Sequence, residues 1–231
     1  MKLTSLKLPM LGILIAALPL AAGVSSLFSG SELRPSDAII LFDGKDLSQW
    51  RYADSDKPAD WKVHNGYMEV RGGNICSKQE FTDCQLHVEF WLPSMPDAKG
   101  QARANSGVYL QGRYEVQVLD SYGLASRDND CGAVYGVSAP MVNACRPPER
   151  WQTYDIIFHA PKFDANGDMI SKARLTVLQN GVLIQENVEV AGITTAGKDG
   201  GLTTAGPVIL QDHGNPVRYR NVWVRPLEGR Q

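Results

Sequence analysis

Apolar and polar residues alternate singly along Tyr114-Glu115-Val116-Gln117-Val118-Leu119-Asp120. A strand with this period turns Tyr114, Val116 and Val118 to one face, which reads as core, and Glu115 and Gln117 to the other. Those two polar side chains then stand about 7 Å apart along the strand. The same period recurs in Leu86-His87-Val88-Glu89-Phe90, with His87 and Glu89 on the polar face. Such runs predict strands over 39–42, 61–63, 67–70, 84–91, 106–111, 114–119, 153–159, 173–179, 182–190, 208–211 and 217–224. Asn65-Gly66, Gly72-Gly73, Gln111-Gly112 and Asn180-Gly181 punctuate them, and Asn180-Gly181 predicts a type I′ hairpin. Nothing beyond residue 38 sustains a helical period. Many short strands with spaced turns predict an all-β sandwich or jelly roll. Two connections, 93–105 and 121–151, are long for such a fold, and long ordered loops commonly carry function.

The start of the chain has a different pattern. Lys2 and Lys7 precede an almost wholly apolar run over 9–22, too short for a spanning helix, and Ala21-Ala22-Gly23 supplies small residues for cleavage. This predicts a signal peptide over 1–23, a Ser-rich linker over 24–37 and one domain over 38–231. The protein is then exported to a periplasm or secreted, and meets a membrane only through the leader if that stays uncleaved. Without Lys2 and Lys7, the 23 basic residues fall to 21 against 25 acidic ones, a balance of about −4. A mildly acidic, evenly mixed charge gives no reason to expect nucleic acid as a partner. Four cysteines in an exported chain suggest disulfides. Cys131 and Cys145 bracket a Gly-, Pro- and Asn-rich loop and are the expected pair. Cys76 and Cys84 either pair across strands or are two small buried residues. No Cys-x-x-Cys spacing supports a thiolate metal site.

Several clusters admit both a chemical and a structural reading. Glu115 beside Gln117, with Asp120 where the strand ends, suits gripping a polyhydroxylated ligand or acid–base work; it is also what a half-exposed strand displays. His87 and Glu89 suit a divalent cation or a positioned base, and equally a cross-strand pair. Gln211-Asp212-His213-Gly214-Asn215-Pro216 ends an apolar strand in polar groups, either as a ligand rim or as a side-chain-capped turn. Arg218 and Arg220 share a face and suit vicinal oxygens, or an ion pair with Glu115 or Asp120. Asp164-Ala165-Asn166-Gly167-Asp168 begins like a calcium loop, but Met169 and Leu175 stand where Gly and Glu are required, so a hairpin turn is expected. Ser106 has no His and acid at triad-like spacing.

Five blocks then occur in order: Leu41-Phe42-Asp43-Gly44-Lys45-Asp46-Leu47-Ser48-Gln49-Trp50, Leu86–Phe90, Asn105-Ser106-Gly107-Val108-Tyr109, Tyr114–Asp120 and Gly206-Pro207-Val208-Ile209-Leu210-Gln211-Asp212-His213-Gly214. With Val217-Arg218-Tyr219-Arg220-Asn221-Val222 they resemble the 3-keto-disaccharide hydrolase family over about residues 38 to 227. The resemblance implies a concanavalin A-like β-sandwich with a concave, sugar-facing sheet. It implies a glycoside or oligosaccharide substrate already oxidised at C3. A C3 ketone acidifies the C2 proton, so a base and donors for the enolate oxygen suffice to expel the C1 substituent. Glu115 is the candidate base, with His213 and Arg220 as further catalytic groups. Asn105, Gln117, Asp120, Gln211 and Arg218 are candidate sugar contacts. His87 and Glu89 are candidate ligands for a divalent metal, should one take part. The same sandwich also serves lectin-like modules that only bind glycan; in an enzyme or a binder alike, Trp50, Trp61, Trp91 and Trp151 would stack on sugar rings or belong to the core.

Overall fold

The computed structural model describes residues 34–198 and 200–227. The expected signal peptide over 1–23 and all but the last residues of the expected linker lie outside the described residues. In chain order the strands are β1 (Ile39–Phe42), β2 (Trp50–Tyr52), β3 (Lys62–His64), β4 (Tyr67–Glu69), β5 (Ile75–Phe81), β6 (Cys84–Trp91), β7 (Ser106–Leu110) and β8 (Tyr114–Val118). There follow β9 (Trp151–His159), β10 (Lys162–Phe163), β11 (Met169–Ser171), β12 (Ala173–Gln179), β13 (Val182–Val190), β14 (Gly206–Leu210) and β15 (Arg218–Pro226). One short 3-10 turn, Gly100–Ala102, interrupts the loop before β7.

The strands build two large antiparallel sheets and a two-stranded one, β10-β11. An eight-stranded sheet has the order β13-β12-β9-β6-β15-β4-β3, with β1 also on β15, and a five-stranded sheet has the order β2-β5-β14-β7-β8. Period-two alternation turns Leu86, Val88 and Phe90 of β6 and Tyr154, Ile156 and Phe158 of β9 inward. They meet Val108, Leu110, Tyr114, Val116, Val118, Val208 and Leu210 from the other sheet in one buried cluster. Two apolar faces closing on one core define the sandwich. Each such side chain contributes about 1.5–3 kcal/mol by leaving water. Polar tips inside find partners: Trp50 Nε1 donates to Leu41 O at 2.7 Å, and Tyr154 Oη donates to Gln117 O at 2.6 Å across the sheets.

Local turn chemistry matches the sequence reading. Asn180 and Gly181 have φ of 53° and 82°, both positive as a type I′ turn requires. Asp164 Oδ1 accepts the backbone N–H of Asn166 and of Asp168, both at 2.9 Å, and so closes the β10–β11 hairpin. The sequence reading misses β2, β5 and the short β10 and β11. The exposed run Lys78-Gln79-Glu80 breaks the alternation of β5, although this strand is central to its sheet.

The expected disulfide is not present. Cys131 and Cys145 come together, since Gln179 Nε2 donates to both sulfurs at 3.5 and 3.4 Å, but all four cysteines are free. Cys131 Sγ contacts Tyr154 Oη at 3.0 Å instead. Cys76 and Cys84 are separated, one on the outer face of the five-stranded sheet and the other in the core at the start of β6.

Candidate active site

β8 is an edge strand, and its free edge is covered by loops rather than by another strand. Tyr135 N donates to Glu115 O, Gly132 N to Gln117 O, and Gln117 N to Ala133 O. Thr194 Oγ1 accepts Glu115 N at 3.1 Å and donates to Arg113 O. Every such bond pays the demand of a buried peptide group and fixes two loops beside the strand. These loops bring Tyr135 and Thr195 over the outer face of the sheet. The 93–105 loop brings Gln101.

Strand register sets one ladder across this outer face. Arg51 faces Cys76, Cys76 faces Ile209, Ile209 faces Tyr109, and Tyr109 faces Glu115. In the next ladder Gly107 faces Gln117. The missing side chain at Gly107 leaves the space in which the Glu115 carboxylate sits. A small pocket results, lined by Glu115, Gln117, Asn105, Gln211, His213 and Gln101, with Tyr135, Thr195 and Ala196 at its side. Thus Glu115, His213, Asn105, Gln117 and Gln211, five positions singled out from the sequence, converge on one site.

Glu115 is 2% exposed. Burial pushes its carboxyl up to about 7, while the hydrogen-bonding Tyr109 hydroxyl pulls the other way. A carboxyl near neutrality is half ionised at physiological pH, the state a general base needs. Around it the amides form a chain. Gln117 Nε2 donates to Gln101 Oε1 at 2.8 Å, and Asn105 Nδ2 donates to the same oxygen at 3.1 Å. Gln211 Nε2 donates to Tyr109 Oη at 2.9 Å, while Gln211 Oε1 is buried with no protein partner and holds an unused acceptor. Asp212 shapes the rim: its carboxylate accepts Gly73 N and Gly214 N, both at 2.8 Å, and so positions the His213 turn.

The other sequence candidates lie elsewhere. Arg218, Arg220, His87 and Glu89 all sit on the outer face of the eight-stranded sheet, opposite the core face of their own strands. Arg220 Nε pairs with Glu89 at 2.6 Å and its guanidinium stacks on Trp151; Arg218 Nε pairs with Glu69 at 2.8 Å and stacks on Trp91. Neither arginine reaches Glu115 or the pocket. His87 Nδ1 is held by Asp155 at 2.7 Å, and its Nε2 meets Asn221 Nδ2 at 3.3 Å. Burial opposes charge on His87, but Asp155 and Glu89 outweigh it and hold the ring at about 9. Burial also opposes charge on Glu89, but His87, Asn221 and Arg220 hold it at about 2. Both side chains are thus engaged by neighbours on their own sheet face, His87 by Asp155 and Asn221 and Glu89 by Arg220 and Asn221. Among the described residues no group of three or more His, Cys, Asp and Glu could hold a metal ion. Asp120 is spent on Arg103 Nε at 2.8 Å and is 2% exposed. Trp50 and Trp61 are core, and Trp91 and Trp151 back the arginines. Arg220→Ala is therefore expected to lower stability by about 1 kcal/mol. It should leave kcat/KM on any glycoside substrate within about threefold. A hundredfold loss in that assay would place Arg220 in the chemistry after all.

The fold and the pocket define a sandwich that presents a buried carboxylate and carboxamides on the outer face of its smaller sheet. The chain belongs to the family of the 3-keto-alpha-glucoside-1,2-lyase-like domain, whose model matches residues 37–225. It is similar to a candidate glycosyl hydrolase from Parabacteroides distasonis at 42% identity, over 84% of this chain and 85% of that one, with a TM-score of 0.75. A second candidate glycosyl hydrolase of that organism shares the fold at 20% identity and a TM-score of 0.61, over 87% of this chain and 98% of that one. No curated protein matches the sequence.

Proposed function

We propose that the protein cleaves 3-keto-glycosides by removing the C2 proton with Glu115. The observation that carries this is a lone buried carboxylate poised near neutrality among carboxamides. Among the described lining residues Glu115 is the one acid. A conventional glycosidase needs two carboxyl groups about 5 to 9.5 Å apart, one to protonate the leaving oxygen. A single base is enough when a ketone at C3 makes the C2 proton labile, and the family match supports a substrate of that kind.

The proton passes from C2 to Glu115, and the electron pair of that bond forms the enolate with its charge on the C3 oxygen. Collapse of the enolate restores the ketone, forms the C1–C2 double bond and breaks the C1–O bond. The second Nε2 hydrogen of Gln211 and, at the rim, His213 supply donors for the developing oxyanion and the ring hydroxyls, while Gln117 and Asn105, bonded to Gln101, hold the wall in place. The free acceptor of Gln211 takes a sugar hydroxyl. Tyr109, hydrogen-bonded to Glu115, hands its proton to the departing oxygen and recovers one from Glu115. Water adding to the double bond later completes a net hydrolysis.

Solvent exchange tests this directly. In heavy water a 3-keto-glucoside should acquire deuterium at C2, in recovered substrate or in product. Rapid cleavage of the unoxidised glucoside without exchange at C2 would overturn the mechanism. Binding of ordinary glycans with no turnover of either form would favour a lectin-like module.

A further inference from the structure

Beside the Glu115 pocket lies a larger cleft of ≈ 390 Å³, which shares Ala196 with it and has Tyr109 in its wall. We propose that this cleft receives the departing group of the substrate, and that it is built for an aromatic or other apolar aglycone rather than for a second sugar. The proposal rests on the reading of Glu115 as the base.

The ladder register supplies the geometry. Going outward from Glu115, the cross-strand neighbours are Tyr109, Ile209 and Cys76. Side chains opposite one another in adjacent antiparallel strands are about 4.5–5.5 Å apart at Cβ. A sugar held over Glu115 and Gln117 therefore places its C1 substituent at Tyr109, and whatever is attached there continues over Ile209 and Cys76. Cys76, Tyr109 and Ile209, with Ala53 against them, form an apolar cluster separate from the core, on the outer side of the sheet. An apolar floor on the side of a sheet away from the core does nothing for the sandwich, and concave apolar surface with a few polar groups is what small-molecule sites use.

The lining divides the two pockets by chemistry. The Glu115 pocket is lined by polar side chains, Gln101, Asn105, Gln117, Gln211 and His213, around the carboxylate. The cleft offers Ala53, Gly112, Ala196, Ile209 and the Tyr109 ring, with Asn74 and the exposed side chains of Asp54 and Lys198 as its polar groups. Of its polar groups, Asn74 has its side-chain oxygen engaged by Asp212 N at 2.8 Å. A second sugar would turn hydroxyls onto the apolar floor of Cys76, Tyr109 and Ile209, where they find no partners, and that burial is costly. A fused aromatic ring has no such demand.

The test compares 3-keto-glucosides that carry 2-naphthyl, methyl or glucosyl leaving groups, on the wild-type protein and on Ala53→Phe, which fills the cleft. Comparing each substrate across the two proteins cancels intrinsic leaving-group ability. The ratio of kcat/KM for naphthyl over methyl is expected to fall about tenfold in the variant. The glucosyl-to-methyl ratio should fall much less. Calorimetric titration of free 2-naphthol should show binding to wild type and about tenfold weaker binding to Ala53→Phe. Equal losses for naphthyl and methyl, an equal fall for glucosyl, or no binding of naphthol to wild type would each overturn the proposal. If every substrate is inert while naphthol binds wild type and not the variant, the role of Glu115 fails and the apolar cleft stands.

Discussion

Glu115→Gln is expected to lower turnover of a 3-keto-glucoside at least ~100-fold, the scale for removing a general base, with the fold intact. The amide has nearly the shape of the acid, so its neighbours have no reason to move. In the unaltered protein kcat/KM should rise about tenfold per pH unit below about 7 and level off above it, because burial pushes the Glu115 carboxyl up to about 7 and only the ionised form takes a proton. Stability should run the other way. Below the ordinary value of 4.5 both folded and unfolded chains hold this proton. Between 4.5 and about 7 only the folded chain keeps it, so stability falls as pH rises, and above about 7 the cost is complete. The rise from 4.5 to about 7, at ~1.36 kcal/mol per tenfold change in proton affinity, sets an upper limit of about 3 kcal/mol. Glu115→Gln should thus be more stable than wild type at pH 8 and equal to it near pH 4. Near-normal turnover by the variant, or the same stability difference at both pH values, would refute the assignment.

The candidate site was legible where alternation alone decides it. Glu115 and Gln117 follow from period two in β8, and the face they occupy lies away from the core as that period implies. The same rule placed Arg218 and Arg220 correctly on the polar face of β15, and His87 and Glu89 on that of β6. It could not say which sheet either strand joins. Pairing across 131 residues of chain, from Glu89 to Arg220, decides that, and a period carries no information about partners. Tyr109 was missed for a different reason. Ser106-Gly107-Val108-Tyr109-Leu110 is buried on both faces, so an outward aromatic looks like core. Gln101, Tyr135 and Thr195 stand on loops, where no period exists. Their place is fixed by backbone bonds to β8 that only the folded chain reveals.

The largest effect from a single atom is expected at Gly107. Its φ lies outside the left-handed region, so alanine fits the backbone there, and strand interiors favour alanine over glycine by about 0.5–1 kcal/mol. What alanine lacks is room. Its Cβ would collide with Glu115 Oε1, and would lie 3.0 Å from Tyr109 Cε2 and 3.2 Å from Glu115 Cδ. The carboxylate is the softer of the two neighbours, since the tyrosine is packed against Cys76 and Ile209. Gly107→Ala should therefore displace the Glu115 carboxylate by about 1 Å, enough to cost ~100-fold in kcat/KM by misaligning a base with its proton. The displacement also loosens the contact with Tyr109, so the midpoint of the pH–rate profile should move from its wild-type value. Gly192→Ala is the control, because nothing lies within 4 Å of a Cβ there and its φ is unremarkable. The two variants should unfold within about 1 kcal/mol of one another, yet differ in turnover by two orders of magnitude. If Gly107→Ala folds normally and keeps both its rate and its pH midpoint, the carboxylate of Glu115 is not where the reaction takes its proton.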